Sequence, residues 1–151
     1  MSKKRNWLIS NPIPNSPSSC NKDLNGGYGT WDKFNNNPVS KIISKAKKKN
    51  IKIPVLCLGY IHSILEKKKI DCFYTESYQE SISLIKKKDI QGVIIYGSIV
   101  CCDFENKLIN EINQINKNIK IIVVGTFPTK FPKLFKNADH IIIGEPENFF
   151  I

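Results

Sequence analysis

The sequence predicts an α/β domain with a doubly wound, mostly parallel five-stranded sheet, Rossmann-like or flavodoxin-like in layout. Three observations carry that prediction. Ile121-Ile122-Val123-Val124 and Ile141-Ile142-Ile143 are continuous β-branched runs without polar alternation, as in strands covered on both faces. Each run ends on a glycine, Gly125 or Gly144, and the basic stretch between them is helix-compatible, as a crossover between parallel strands requires. Upstream, strand-like and helix-like apolar patterns alternate, giving the order β-α-β-α-β-α-β-α-β with right-handed crossovers. At 151 residues the chain is long enough for one domain with a proper core, and it reads as a single unit over 1–151.

The first strand is Asn6–Ile9 (NWLI), and residues 6–14 cover it and its exit. Pro12 and Pro14 fix that exit as extended and forbid an immediate helix. Residues 15–52 read as an irregular insertion rich in Asn, Ser, Gly and Lys, with Gly26-Gly27-Tyr28-Gly29-Thr30-Trp31 inside it. Loops of that length are either functional or disordered. Glycines interleaved with aromatics suit a loop that closes over something flat.

The remaining α/β units occupy 53–146. Pro54 can sit in the first turn of a helix that runs to about Lys69. Leu58, Ile61 and Leu65 share one face of it, and Lys67–Lys69 suit its carboxyl end. Gly59 is read as a site of close packing on the sheet. Asp71–Thr75 is the second strand. Tyr78, Ile82 and Ile85 mark a short helix ending in Lys86–Lys88, and Gly92–Tyr96 is the third strand, closed by Gly97-Ser98. Asp103 is the expected N-cap of the next helix, which carries Phe104, Leu108, Ile112 and Ile115 on one face. Residues 147–151 read as the start of a linker helix, with Phe149-Phe150-Ile151 expected to need a further module or a partner to cover them.

Charge and cysteines narrow the function classes. The formal net charge is +10, but Arg5 is the only arginine. Base-edge and phosphate recognition lean heavily on the forked guanidinium, so its near absence counts against specific readout. The charge is read as a solvated lysine surface, with nucleic acid not an expected partner. The weaker alternative is a polyanion binder using the lysine patches. No apolar run approaches the roughly 18 residues that span a bilayer, and Trp7-Leu8-Ile9 is too short for a signal-peptide core, so no membrane role and a cytoplasmic location are expected. Cys20, Cys57, Cys72, Cys101 and Cys102 contain no CxxC or CxxxCxxC spacing, which leaves reduced, structural thiols and no local zinc or iron–sulfur site.

Familiar α/β chemistries are absent. There is no GxGxxG, no GxxxxGK[ST] and no GxSxG. Receiver-type acidic positions after the first and third strands hold Asn11-Pro12 and Gly97-Ser98 instead. His62 lies mid-helix and His140 opens the fifth strand at the edge away from the strand tips, so no catalytic residue is assigned. Glu145 and Glu147, beside the last strand tip, either hydrogen-bond a ligand or favour the following helix's N-terminus. Open parallel sheets bind ligands at the carboxyl ends of their strands, so a row of strand tips is the expected site.

LGYIHSILEKKKID, VVGTFPTKFPK and HIIIGEPE, together with Asn11-Pro12 after the first strand, resemble the cobalamin (B12)-binding domain at the amino end of many radical SAM enzymes. The resemblance covers about Trp7 to Phe150. It implies base-off cobalamin held across the strand tips by Asn11, Pro12, Gly26, Gly27, Gly29, Thr30, Gly97, Ser98, Gly125, Thr126, Gly144 and Glu145. No DxHxxG motif is present, so that cobalamin would lack the histidine ligand the motif supplies. It also implies a methyltransferase-like parent enzyme, whose 4Fe-4S cluster and S-adenosylmethionine would belong to a carboxyl-terminal radical SAM module in cis. Val124, Phe127 and Pro146 stand where that family has glycine, histidine and glycine. Hence the alternative expectation: a domain that keeps the fold without cobalamin and serves as a docking or interaction module.

Overall fold

A computed structural model of the chain describes residues 5–14, 37–42 and 55–151. The expectations for Gly26, Gly27, Gly29, Thr30 and Pro54 lie outside these residues. Five strands, β1 (Asn6–Ser10), β2 (Asp71–Thr75), β3 (Ile90–Tyr96), β4 (Lys120–Val124) and β5 (His140–Ile141), form one sheet in the order β2-β1-β3-β4-β5. Every neighbouring pair is parallel. The helices are α1 (Leu56–Lys67), α2 (Tyr78–Lys87), α3 (Cys102–Ile115), the single turn α4 (Thr126–Lys130) and the terminal turn α5 (Glu147–Phe150). A 3-10 turn over Pro132–Leu134 completes the β4–β5 crossover. This is a doubly wound α/β fold. None of the described helices is long and apolar enough to cross a membrane.

Alternation along the strands divides the core into two layers. Leu8, Val93, Ile95, Ile121 and Val123 face α2 and α3 through Ile82, Ile85, Leu108, Ile109 and Ile112. Ile9, Ile94, Ile122 and Val124 face α1 and α5 through Leu58, Ile61, Leu65 and Phe150. That is why the strands read as unbroken apolar runs: neither face meets water. Each fully buried aliphatic side chain contributes about 1.5–3 kcal/mol of transfer free energy.

Several expectations need correction. The insertion is not irregular throughout, because 38–42 form a helical turn and Asn37 Oδ1 accepts from Ser40 N at 2.7 Å, as an N-cap does. Gly59 lies on the exposed side of α1 with nothing within 4 Å of its Cβ position, so it mediates no close packing. The third strand begins at Ile90, two residues early. The glycine of the strand that does need to be small is Gly92, where a Cβ would lie 2.7 Å from the Trp7 ring on β1.

Asp103 is not the N-cap of α3. Cys101 holds that position and Asp103 falls in the first turn, where its charge still suits the helix dipole. The fifth strand is shorter than the Ile141–Ile143 run. Ile142 N still reaches Val123 O (3.0 Å), but Gly144 N then turns to Thr129 Oγ1 (3.2 Å) instead of continuing along β4. The terminal apolar residues are not all unpartnered either, since Phe150 is 8% exposed against the α1 layer while Phe149 and Ile151 remain exposed.

Asp139 locks the amino end of the β4–β5 pair. Its carboxylate accepts from Ile121 N (2.8 Å) and Lys120 Nζ (3.1 Å). Partial burial acts to raise its pKa, but the Ile121 amide and Lys120 outweigh it and hold the carboxyl below its ordinary value. A depressed folded pKa contributes stability that is present above the unfolded pKa and is lost as pH falls through the folded one. Asp139→Asn is therefore expected to cost about 1 kcal/mol in urea melts at neutral pH. The gap between wild type and variant should close below the ordinary carboxylate range. A gap that stays constant down to that range would refute the assignment.

Candidate functional site

With all strands parallel, the carboxyl ends of β1, β3, β4 and β5 share one edge of the sheet. Helix α1, between β1 and β2 in the chain, packs on one face of the sheet, and α3, which follows β3, packs on the other. The exits of these two adjacent strands diverge, so the topological switch point lies between Ser10–Pro14 and Gly97–Cys101. Crevices of this kind are where open α/β sheets hold ligands.

On the β1 side, Asn11 is only 4% exposed. Its backbone amide donates to Thr75 O (2.9 Å), and Ile13 N donates to Glu76 O (2.9 Å), extending the β1–β2 pairing beyond the strands. Tyr74 donates its hydroxyl to Glu76 Oε1 (2.9 Å). Burial first, then the Glu76 carboxylate, pushes the Tyr74 phenol up to about 12. The Asn11 Oδ1 is buried and without a hydrogen-bond partner among the described residues. A buried acceptor left in that condition has capacity for a donor brought from outside.

On the β3 side, a fully buried carboxylate shapes the loop. Glu105 Oε1 and Oε2 accept from Ser98 N (3.0 and 2.9 Å), and Ser98 Oγ donates to Oε1 (3.2 Å). Ser98 Oγ also accepts from Cys101 N (3.3 Å). The clasp holds residues 98–101 in a tight turn with Ile99 60% exposed and Val100 partly so. Gly97 sits at its base for packing reasons: a Cβ there would lie 2.4 Å from Pro128 Cγ and 3.0 Å from Phe135 Cζ.

Across β4 and β5, Gly125 and Gly144 take positive φ values of 126° and 90°, which L side chains rarely adopt. Thr129 ties the two turns together, donating to Gly125 O (2.9 Å) and accepting from Gly144 N. A Cβ on Gly125 would meet Gly97 O at 2.9 Å, whereas nothing lies within 4 Å of the corresponding position on Gly144. Of the three strand-tip glycines, Gly144 alone has open space at that position. Thr126, Glu145 and Ile143 are exposed around it.

The edge therefore brings together Asn11, Pro12, Gly97, Ser98, Gly125, Thr126, Gly144 and Glu145. Tyr74, Glu105 and Thr129 were not singled out from the sequence. Tyr74 and Glu105 have no sequence motif that marks their partners, and Thr129 acts on Gly144, fifteen positions later. His62 lies on α1, 3.6 Å from Glu66, and His140 is at the amino end of β5, so neither reaches this edge. Burial raises the Cys57 thiol to about 11, with Glu147 adding to it, and raises Cys72 to about 12. Both stay protonated and poorly nucleophilic at neutral pH. No group of three His, Cys, Asp or Glu among the described residues could hold a metal ion.

No protein-family model matches this chain, and no curated protein matches it at a significant level.

Proposed function

We propose that the carboxyl edge of the sheet holds a broad, flat, largely apolar ligand bearing hydrogen-bond donors, and that this ligand is base-off cobalamin. The observation that carries the reading is the topological switch point between β1 and β3, with exposed apolar tips at Ile99 and Val100 after β3 and at Ile143 after β5, and with the buried Asn11 Oδ1 that has no partner among the described residues. A corrin ring is a plate fringed with carboxamides. Its apolar face suits the isoleucine tips, a carboxamide N–H suits Asn11 Oδ1, and the open space at Gly144 allows close backbone approach. Bound cobalamin supplies the cobalt-centred chemistry of alkyl transfer, and the chain supplies position and exclusion of water. Neither histidine of the described residues reaches the edge to serve as a ligand to the metal. A radical SAM parent enzyme, with its 4Fe-4S cluster and S-adenosylmethionine in a further module, rests on the sequence resemblance alone.

Titration of the purified chain with hydroxocobalamin is expected to shift the corrin absorption bands, with a weaker shift for Asn11→Ala. No spectral change at high micromolar ligand would remove cobalamin from consideration. A second reading is favoured by a groove of about 520 Å³ beside edge strand β5, lined by Ile141, Ile143 and the exposed Phe149. It takes the domain as an interaction module that keeps the fold without the cofactor. That reading gains if wild type gives no spectral change and sediments as a concentration-dependent oligomer that Phe149→Ser disperses.

A further inference from the structure

The opposite edge of the sheet carries a different chemistry. Helices α1 and α2 both run from the carboxyl edge to the amino edge, so Lys67–Lys69 and Lys86–Lys88 reach it from the two faces of the sheet. Arg5 precedes β1, Lys117 and Lys120 flank the start of β4, and Lys136 precedes β5. All ten basic residues are exposed. Among the described residues, Glu66, Asp71, Asp89 and Asp139 are the carboxylates of the same edge, giving ten positive against four negative charges. In the strand order, this basic row runs from β2 to β5, four inter-strand spacings or about 19 Å. Most described carboxylates outside this edge, Glu76, Glu80, Asp103, Glu105, Glu145 and Glu147, lie towards the carboxyl edge.

Helix dipoles account for part of this, because carboxyl termini favour lysine. They do not account for Arg5, Lys117, Lys120 or Lys136, which lie outside the last helical turns. Nor do they account for Lys69, which occupies a left-handed conformation (φ 59°) just past α1, where glycine is the favoured residue. It is the only described non-glycine residue with positive φ. A long cationic side chain there places charge at the edge at the expense of backbone conformation.

We infer that the amino edge is a sequence-independent binding face for the phosphate backbone of nucleic acid. The lack of arginine bears on base readout, whereas lysine serves as a point charge for phosphates. A membrane fits less well. Exposed large apolar side chains lie mainly at the carboxyl edge and on the helices, leaving Ile151, whose carbonyl accepts from Lys68 Nζ (2.8 Å), as the one near this face. The face is separate from the strand-tip crevice and does not depend on what that crevice holds.

The test is fluorescence anisotropy with a labelled single-stranded oligonucleotide of mixed sequence, over a series of salt concentrations. Wild type is expected to bind with Kd in the range of about 10⁻⁴–10⁻⁶ M near physiological salt, with affinity falling steeply as salt rises. Replacing Lys67, Lys68 and Lys69 by Gln, or Lys86, Lys87 and Lys88 by Gln, should weaken binding about tenfold and lower the salt slope by about 3. The charge-matched control, Lys107, Lys130 and Lys133 to Gln, should leave both nearly unchanged. Lys69→Gly should raise the urea midpoint while weakening the oligonucleotide, which a purely structural lysine would not do. Equal losses in the control would reduce the effect to net charge and overturn the assignment. So would absence of binding at low salt, or binding to phosphatidylserine vesicles without binding to the oligonucleotide.

Discussion

Glu105→Ala is expected to lower the unfolding free energy by about 3 kcal/mol, measured by urea denaturation at neutral pH. The carboxylate is fully buried and meets the Ser98 amide with both oxygens and the Ser98 hydroxyl with one. Truncation leaves that buried amide without an acceptor, and it also leaves a void where the Cγ methylene and the carboxylate were packed. Each loss alone is worth a substantial fraction of the total. Glu105→Gln fills the volume but turns an N–H₂ group towards one of the Ser98 donors, so it should fall between alanine and wild type. The variant should also loosen residues 98–101, so any ligand affinity of the edge should drop by more than the conservative Gln variant loses. An alanine variant as stable as wild type would show that the clasp does not hold the loop.

Gly97→Ala is the second large effect, about 2 kcal/mol of destabilisation. The added methyl would approach Pro128 Cγ to 2.4 Å, and the proline ring, fixed within α4, has no rotamer by which to retreat. Phe135 and Val123 close the other sides at 3.0 and 3.1 Å. Gly144→Ala offers the contrast. It meets no atom within 4 Å, so its cost comes from the positive φ alone, about 1 kcal/mol. Thermal or urea melts should therefore rank Gly97→Ala below Gly144→Ala. The reverse order would mean that the packing at the base of the β3 tip is looser than its distances indicate.

Much of the fold could be read from the sequence because its signals are local. The unbroken runs at Ile121–Val124 and Gly92–Tyr96 identify strands buried on both faces, and Leu58, Ile61 and Leu65 identify the inward face of α1. Register and boundaries were less legible. Ile90 belongs to β3 although Gln91 and Gly92 interrupt its apolar pattern, and β5 stops short because Thr129, fourteen positions before Ile143, captures the next amide. The site followed the same division. Strand-tip glycines and Asn11 could be marked as edge residues, but not which glycine opens to solvent. That depends on Pro128 and Phe135 closing over Gly97, a contact made by the crossover rather than by the strand. The Ser98–Glu105 clasp had no sequence signature, because a glutamate in a helix's first turn ordinarily faces water.

The placement of β1 between β2 and β3 has a kinetic consequence. Gly92 pairs with Lys120, only 28 positions along the chain, so β3, α3 and β4 can assemble from nearby sequence. Asn6 pairs with Asp71 and Trp7 with Gly92, 65 and 85 positions away. Closing those long loops costs chain entropy before any pairing energy is returned, which sets β1 as the late-joining strand. Until it docks, β2 and β3 face each other across an empty slot and Gly92 has no indole to cover it. The switch-point crevice borders β1, so it does not exist in the partly assembled chain: a ligand that fits there recognises only molecules that have completed their folding.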